Sequence, residues 1–161
     1  MTAARRLAIW LAPRLIGLAA RRAPDFVIGG VEDPYIQRWW LIPRNRVLNL
    51  YLHRILRSDD DRALHDHPWA NASLILQGRY VEHTIAAGGV HRRAVRESGD
   101  IVLRSGAAAH RLEIFSGACW TLFLTGPAQR RWGFHCPKGW VWWRDFVDDA
   151  DKGRVGAGCG A

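Results

Sequence analysis

The chain has 161 residues, which is long enough for one domain with a proper core. Hydrophobic residues make up 48% and charged residues 24%, a balance that argues against a mainly disordered protein. The net charge of +8 would suit a nucleic-acid or anionic-membrane partner, but the arginines are scattered along the chain instead of forming one stripe. We therefore do not expect nucleic acid to be the main partner.

Residues 1–22 have the pattern of a short basic helix, interrupted by Pro13. The uncharged run over residues 7–12 is far too short for the roughly 20 residues that a bilayer span needs. A basic amphipathic helix could lie on a membrane surface or dock on a partner, but we expect it to pack over the mouth of the domain. Residues 1–30 are therefore predicted as a helical arm.

From residue 31 onward, short β-type runs are separated by Gly, Pro and Asp, which is typical of an all-β sandwich or barrel. The predicted strands cover residues 47–56, 73–84, 91–96, 100–104, 111–115, 120–125 and 140–146. Residues 31–150 are therefore predicted to form one barrel. Residues 151–161, rich in Gly and Ala, are expected to form a disordered tail.

The three cysteines, Cys119, Cys136 and Cys159, are odd in number and contain no CxxC pair. The chain also starts without a convincing signal peptide. These observations predict reduced cysteines and a cytoplasmic protein.

The chemistry concentrates in the His65-Asp66-His67 stretch, because alternate residues of an extended strand point to the same side. Two imidazoles at this spacing can bind a borderline metal such as Fe, Mn, Ni or Zn if another strand supplies a third ligand. His110 is the best candidate, since it follows a predicted hairpin at the start of a strand. The pattern predicts a site for one divalent metal ion.

These residues resemble the two motifs of the cupins. His65 and His67 match the HXH of the first motif, Gly78 its closing glycine, Gly99 the opening glycine of the second motif and His110 its histidine. The departures from the two motifs are Asp59 for the opening glycine, Asn71 for the glutamate, Ser105 and Ala107 for Pro and Gly, and Ile114 for the final Asn. The wider stretch is similar to small cupin-like proteins of bacteria and their phages.

The resemblance implies a double-stranded β-helix, or jelly-roll barrel, with a metal on the three histidines. Asn71 stands where cupins carry a glutamate ligand or proton acceptor, and an amide cannot take up a proton at neutral pH. The resulting three-histidine site resembles that of the thiol dioxygenases, whose Fe(II) binds substrate and dioxygen together. We therefore expect an Fe(II) dioxygenase acting on a small polar metabolite, with an isomerase as a less favoured reaction and Mn, Ni or Zn as alternative ions.

Other polar residues near the motif are candidates for supporting roles. Asn71 and His53 could each supply a fourth ligand or stand behind the ligands, while Asp66 is expected to face away and orient a neighbouring group. His83 and His91, which flank the Gly88-Gly89 turn, are expected to be exposed.

Aromatic and basic side chains are candidates for the substrate pocket, because ligand cavities often lie in the mouths of β-barrels. The predicted pocket residues are Trp69, Arg79, Trp120 and Trp132. Arginines on or near the site strands could anchor a substrate carboxylate or phosphate, namely Arg54, Arg62, Arg79, Arg104 and Arg111.

Two other functions stay open. The chain could be a non-catalytic barrel that binds a small ligand or partner, or a basic accessory protein of nucleic-acid metabolism. A row of exposed tryptophans on the last strand would favour a homodimer. The sequence does not identify the substrate, the reaction, the metal or the oligomeric state.

Overall fold

A computed structural model of the chain describes residues 1–30, 32–59, 63–151 and 154–160. In chain order the elements are α1 (Ala3–Ala19), β1 (Phe26–Ile28), β2 (Ile36–Trp40), β3 (Asn49–Ile55), β4 (Leu64–His65), β5 (Asn71–Gln77), β6 (Arg79–Ala86), β7 (Val90–Glu97), β8 (Ile101–Arg104), β9 (His110–Glu113), β10 (Cys119–Thr125), β11 (Gly133–Cys136), β12 (Gly139–Trp142) and α2 (Trp143–Phe146). A short 3₁₀ turn, Ala87–Gly89, joins β6 to β7.

The described strands form two antiparallel six-stranded sheets. The first has the order β1-β2-β3-β10-β5-β8 and the second the order β12-β11-β4-β9-β6-β7. Strand β1 lies before residue 31, so the sheet begins inside the segment that was predicted to be a separate arm. Along β10 buried residues alternate with partly buried ones, which places every second side chain in the barrel interior.

The barrel interior contains an apolar cluster and buried polar residues. The apolar cluster comes from both sheets and includes Ile55, Ile75, Tyr80 and Val102. The buried polar residues include His53 and His110. Ile55 and Tyr80 also line a cavity that contains histidines, so part of the interior is available for chemistry.

Gly78 divides a segment that the sequence predicted as one strand, residues 73–84. It has a φ of +84°, a conformation that glycine adopts without steric cost. A Cβ at this position would lie 2.6 Å from the carbonyl oxygen of Ala118. The chain therefore turns here, and β5 and β6 belong to different sheets.

Helix α1 packs on the outer face of the first sheet, not over a barrel mouth as predicted. Thr2 caps it by accepting a hydrogen bond from the backbone N–H of Arg5 at 3.2 Å. Pro13 lies inside the helix without ending it; the carbonyl that loses a hydrogen bond belongs to Ile9, an exposed residue. The small side chains of the helix pack in one cluster with residues of the sheet: Ala8, Ala12, Ala19, Trp39, Leu52, Leu74 and Leu76. No helix among the described residues is long and apolar enough to cross a membrane.

The C-terminal segment folds back on the barrel. A disulfide joins Cys136 to Cys159, so the expectation of three reduced cysteines is corrected, and Cys119 is a buried free thiol. The backbone N–H groups of Gly156 and Gly158 donate to the carbonyl of Phe146 at 2.9 and 3.0 Å. Residues 154–160 are thus held by a covalent bond and hydrogen bonds, which differs from the expected disordered tail.

The last predicted strand, residues 140–146, is also shorter than expected. Strand β12 ends at Trp142, and the next four residues form α2. Phe146 in this turn is buried and stacks on Phe134, with ring centroids 3.7 Å apart. Burial of Phe146 against β11 favours the helical turn over a continued strand.

The contact between α1 and the sheet can be tested with two leucines. Leu52 is fully buried in this contact, whereas Leu103 is 75% exposed. We expect Leu52→Ala to lower the free energy of unfolding by about 2 to 5 kcal/mol because it opens a cavity. Leu103→Ala should change it by less than about 0.5 kcal/mol. Urea denaturation followed by circular dichroism measures both, and equal losses would contradict the packing.

Candidate metal centre

Three histidines converge inside the barrel from two adjacent strands and the loop after one of them. His65 ends β4 and lies directly opposite His110, the first residue of β9. His67 follows two residues later, and its backbone N–H donates to the carbonyl of Gly106 at 2.9 Å. One ring nitrogen from each histidine lies within 4.8 Å of the others. The predicted ligand set is therefore brought together in space.

The histidines line an interior cavity of about 80 Å³. A cavity of this size has room for about three water molecules. Trp69 lies in its wall and stacks on His67, with ring centroids 4.7 Å apart. Trp132 is also near, with its ring centroid 6.3 Å from that of His67 and 6.5 Å from that of His65, but it is not among the described residues that line the cavity.

Burial keeps two of the histidines neutral. It lowers the pKa of His67 and of His110 well below the usual range, and the neighbouring His65 and Arg104 lower both pKa values further. A neutral imidazole has a free lone pair and is a common metal ligand. Three imidazoles that converge in this way form a donor set that fits a borderline divalent metal ion.

Asp66 lies between the first two histidines but faces away from them, as predicted for a regular strand. It is fully buried and accepts hydrogen bonds from the backbone N–H of Gly133 at 2.8 Å and from Nε1 of Trp140 at 3.1 Å. Arg130 and His135 lie 2.9 and 3.2 Å from its Oδ2. Burial acts to raise the pKa of Asp66, but the bonds from Arg130 and Gly133 outweigh it and lower the pKa.

Asp59 is a second buried carboxylate near the histidines, and sequence reasoning assigned it no role. Its Oδ2 lies 3.8 Å from Nδ1 of His65. Tyr35 donates its hydroxyl hydrogen to Oδ1, and the backbone N–H of Leu112 donates to Oδ2 at 2.7 Å. Carboxylates commonly stand behind histidine ligands in this way. The available signal was an acid at the position where cupins carry the opening glycine.

Asn71 and His53, the predicted alternatives for a fourth ligand, occupy different places. Asn71 is buried, and neither polar atom of its amide has a partner among the described residues. It lines a separate open depression of about 470 Å³ at the ends of β5, β8 and β10. His53 lines the histidine cavity, but outside the three-histidine group.

Trp132 lies near the histidines without lining the cavity, and the other two predicted pocket residues lie on different parts of the barrel. Trp120 stacks on Trp39 beneath α1, with ring centroids 5.6 Å apart, and Arg79 is exposed with its guanidinium 4.8 Å from the ring centroid of Phe115. Both lie on outward faces of their strands, a choice that sequence alternation alone does not make.

Of the other arginines predicted as substrate anchors, Arg104 lines the histidine cavity, and Arg62 lies outside the described part of the chain. Arg104 is buried, and its guanidinium binds the buried Glu82 at 2.5 Å. Arg54 and Arg111 lie on outward faces: Arg54 stacks over Trp120, and Arg111 pairs in register with His83.

His83, expected to be exposed, is buried on the outer side of the second sheet. Its Nδ1 shares a hydrogen bond with Nε2 of the exposed His91 at 2.9 Å, and its Nε2 lies 2.7 Å from a carboxylate oxygen of Glu113. Side chains from the neighbouring strands β7 and β9 contact the His83 ring, so it is buried and not exposed as predicted.

Comparison with solved structures gives the fold. Oxalate decarboxylase of Bacillus subtilis, studied for its Mn(II) centres, aligns with a TM-score of 0.50 at 16% identity, over 71% of this chain and 30% of that one. The chain has a cupin fold. A cupin superfamily protein of Desulfitobacterium hafniense aligns with a TM-score of 0.45 at 13% identity, over 57% and 77% of the two chains. Fe(II)-HppE aligns with a TM-score of 0.49 at 16% identity, over 65% and 58%.

No family model matches the sequence, and no curated protein matches it. The structural alignment confirms the predicted fold, an all-β jelly-roll cupin with an N-terminal helix. It shows the fold alone, and the activity is argued from the residues of the site.

The neutral histidines predict how stability depends on pH. His53, His67 and His110 have pKa values well below the usual 6.5 because they are buried. Below pH 6.5 the unfolded chain takes up protons that the folded chain does not, so stability is full above this pH and falls below it. Each such histidine costs about 1.4 kcal/mol per pH unit.

Urea denaturation of the metal-free protein between pH 7.5 and 5 measures this slope. His110→Gln should show a shallower decline than the parent, whereas His91→Gln, which removes an exposed ring, should not. A parent curve that stays flat down to pH 5 would contradict neutral buried histidines.

Proposed function

We propose that the chain is a metal-binding cupin that holds one divalent ion, Fe(II), on His65, His67 and His110 and oxidises a small polar metabolite. The observation that carries the proposal is the convergence of three imidazole nitrogens within 4.8 Å in an interior cavity. Three protein ligands with further positions left open are typical of a catalytic metal site, whereas structural sites are closed by four.

The residues around the histidines support a pre-organised site. The buried carboxylate of Asp66 fixes the backbone segment that carries His65 and His67. The carboxylate of Asp59 lies close to the His65 ring. The imidazoles therefore need not rearrange when a ligand binds. Trp69 lines the cavity and stacks on His67, which restricts the shape of the space beside the histidines. A bound Fe(II) ion would supply the oxygen chemistry and polarise the substrate.

A non-catalytic ligand-binding barrel is the second candidate. It is favoured by one observation: no Asp or Glu lines the histidine cavity among the described residues. Asn71 replaces the glutamate that acts as proton acceptor in related enzymes, so general acid-base chemistry has no carboxylate to use. A reaction whose protons are supplied by the substrate or by water does not need a carboxylate in the cavity.

Elemental analysis tests the metal site directly. The protein is expressed without an affinity His-tag and purified without chelator, beside His110→Ala and the control His91→Ala. We expect about one metal equivalent in the parent and in the control, and loss in His110→Ala, because two histidines alone hold a borderline ion weakly. Equal trace metal in all three proteins would refute the metal site.

Oxygen uptake separates the enzyme from the binding protein. The Fe(II)-loaded protein is screened with small thiols and other small chelating metabolites in an oxygen electrode. We expect uptake that needs both iron and one of these compounds and that His110→Ala lowers at least about 100-fold, because the ion is the reactive group. Full metal loading without uptake for any compound would favour the binding function.

A further inference from the structure

Arg38 is a cation in the cavity wall that the sequence analysis did not single out. It lies on β2 with its side chain on the inner face, and it lines the same cavity as the three histidines. Its Nε donates to Nε2 of His53 at 2.8 Å. The guanidinium carbon also lies 4.8 Å from the ring centroid of Tyr51. The side chain is thus fixed by a hydrogen bond and an aromatic ring.

No carboxylate of the described chain lies within ion-pair distance of Arg38. Its Nε is bound to His53, and its two terminal nitrogens have no hydrogen-bond acceptor in that part of the chain. Burial lowers the pKa of Arg38 to about 10, so the group is still charged at neutral pH. Arg38 is partly buried. A partly desolvated cation without a counter-ion among the described residues is unfavourable, and a ligand that brings the anion offsets this.

The other cavity arginine shows the contrast. Arg104 is neutralised by Glu82, whose Oε1 lies 2.5 Å from Nη2 and 2.7 Å from Nε of Arg104. The Nη2 atom of Arg104 also donates to the Tyr80 hydroxyl at 3.4 Å. Arg96 binds the other oxygen of Glu82 at 2.8 Å. Glu82 is therefore fully used, and it leaves Arg38 as the cavity cation that is not balanced by the described residues.

His53 fixes the direction of this cation. Burial, then the nearby Arg38 and His67, lower the pKa of His53 well below its usual range, so the ring is neutral and its Nε2 accepts the Arg38 proton. The ring is held between Phe123 and Tyr51, with centroids 4.8 and 5.9 Å away. Because Nε of Arg38 is bound to His53, its two terminal nitrogens are left for a ligand. Their spacing matches that of the two oxygens of a carboxylate.

We propose that Arg38 binds the carboxylate of the ligand and thereby selects small carboxylic acids for this cavity. The inference rests on the proposed function for the role of the metal, since a donor group of the same molecule would face the three histidines. The cavity volume of about 80 Å³ limits the ligand to the size of a short hydroxy, keto or thiol acid. Arg38 is therefore a specificity-determining residue, and His53 is the residue that positions it.

The test is calorimetric binding of lactate and of lactamide, which have the same shape and differ in charge. Binding is measured on the metal-free and the Mn(II)-loaded protein, for the parent, Arg38→Met and Arg38→Lys. The matched control is Arg54→Met, one residue further along β3 than His53 and on the outer face, where Arg54 stacks over Trp120. Circular dichroism checks that each variant is folded.

We expect the parent to bind lactate at least about tenfold more tightly than lactamide, the effect of one charge-assisted contact. Arg38→Met should remove this preference, Arg38→Lys should retain part of it, and Arg54→Met should keep all of it. A parent that binds both compounds equally would overturn the inference, and this comparison needs no variant to fold.

The two proposals fail in different ways. If the parent protein contains no metal and His110→Ala still prefers lactate to lactamide, the metal proposal is refuted and the role of Arg38 is unaffected. Normal metal content with an unchanged lactate dissociation constant in Arg38→Met would refute the role of Arg38 and leave the metal proposal intact.

Discussion

The site depends on one buried carboxylate that never faces it. Asp66 lies between His65 and His67 in the sequence, and its carboxylate binds groups on β11, on β12 and in the loop before β11. Burying this carboxylate would be very costly without these partners, so the last hairpin stabilises the segment that carries the two histidines. The orientation of His65 and His67 is then a property of the folded barrel and does not wait for a metal ion.

Desolvation lowers the pKa of both kinds of basic side chain in the cavity but leaves them in different charge states. Imidazoles lose their charge when buried, because their usual pKa is close to neutral, and they become lone-pair donors. A guanidinium in the same environment stays charged, because its pKa starts far higher. The interior therefore combines neutral imidazole nitrogens with a guanidinium that keeps its positive charge.

Strand periodicity and motif spacing were sufficient to find the three histidines, since both depend only on nearby residues. They also predicted the turned-away Asp66. They were not sufficient for Trp120 and Arg79, because periodicity separates two faces of a strand without saying which one is inside. Arg38 and the partner of Cys136 were missed for another reason: each is defined by contacts between strands distant in sequence, and no local pattern records them.

The disulfide ties the integrity of the barrel to the thiol chemistry of its surroundings. It closes a loop of 23 residues that contains β12 and α2, and by the chain-entropy estimate such a link stabilises the folded state by about 3 kcal/mol. Trp140, one of the groups that hold Asp66, lies within this loop. In a reducing compartment the loop loses its covalent closure, and the support of the histidine segment then rests on hydrogen bonds and packing alone.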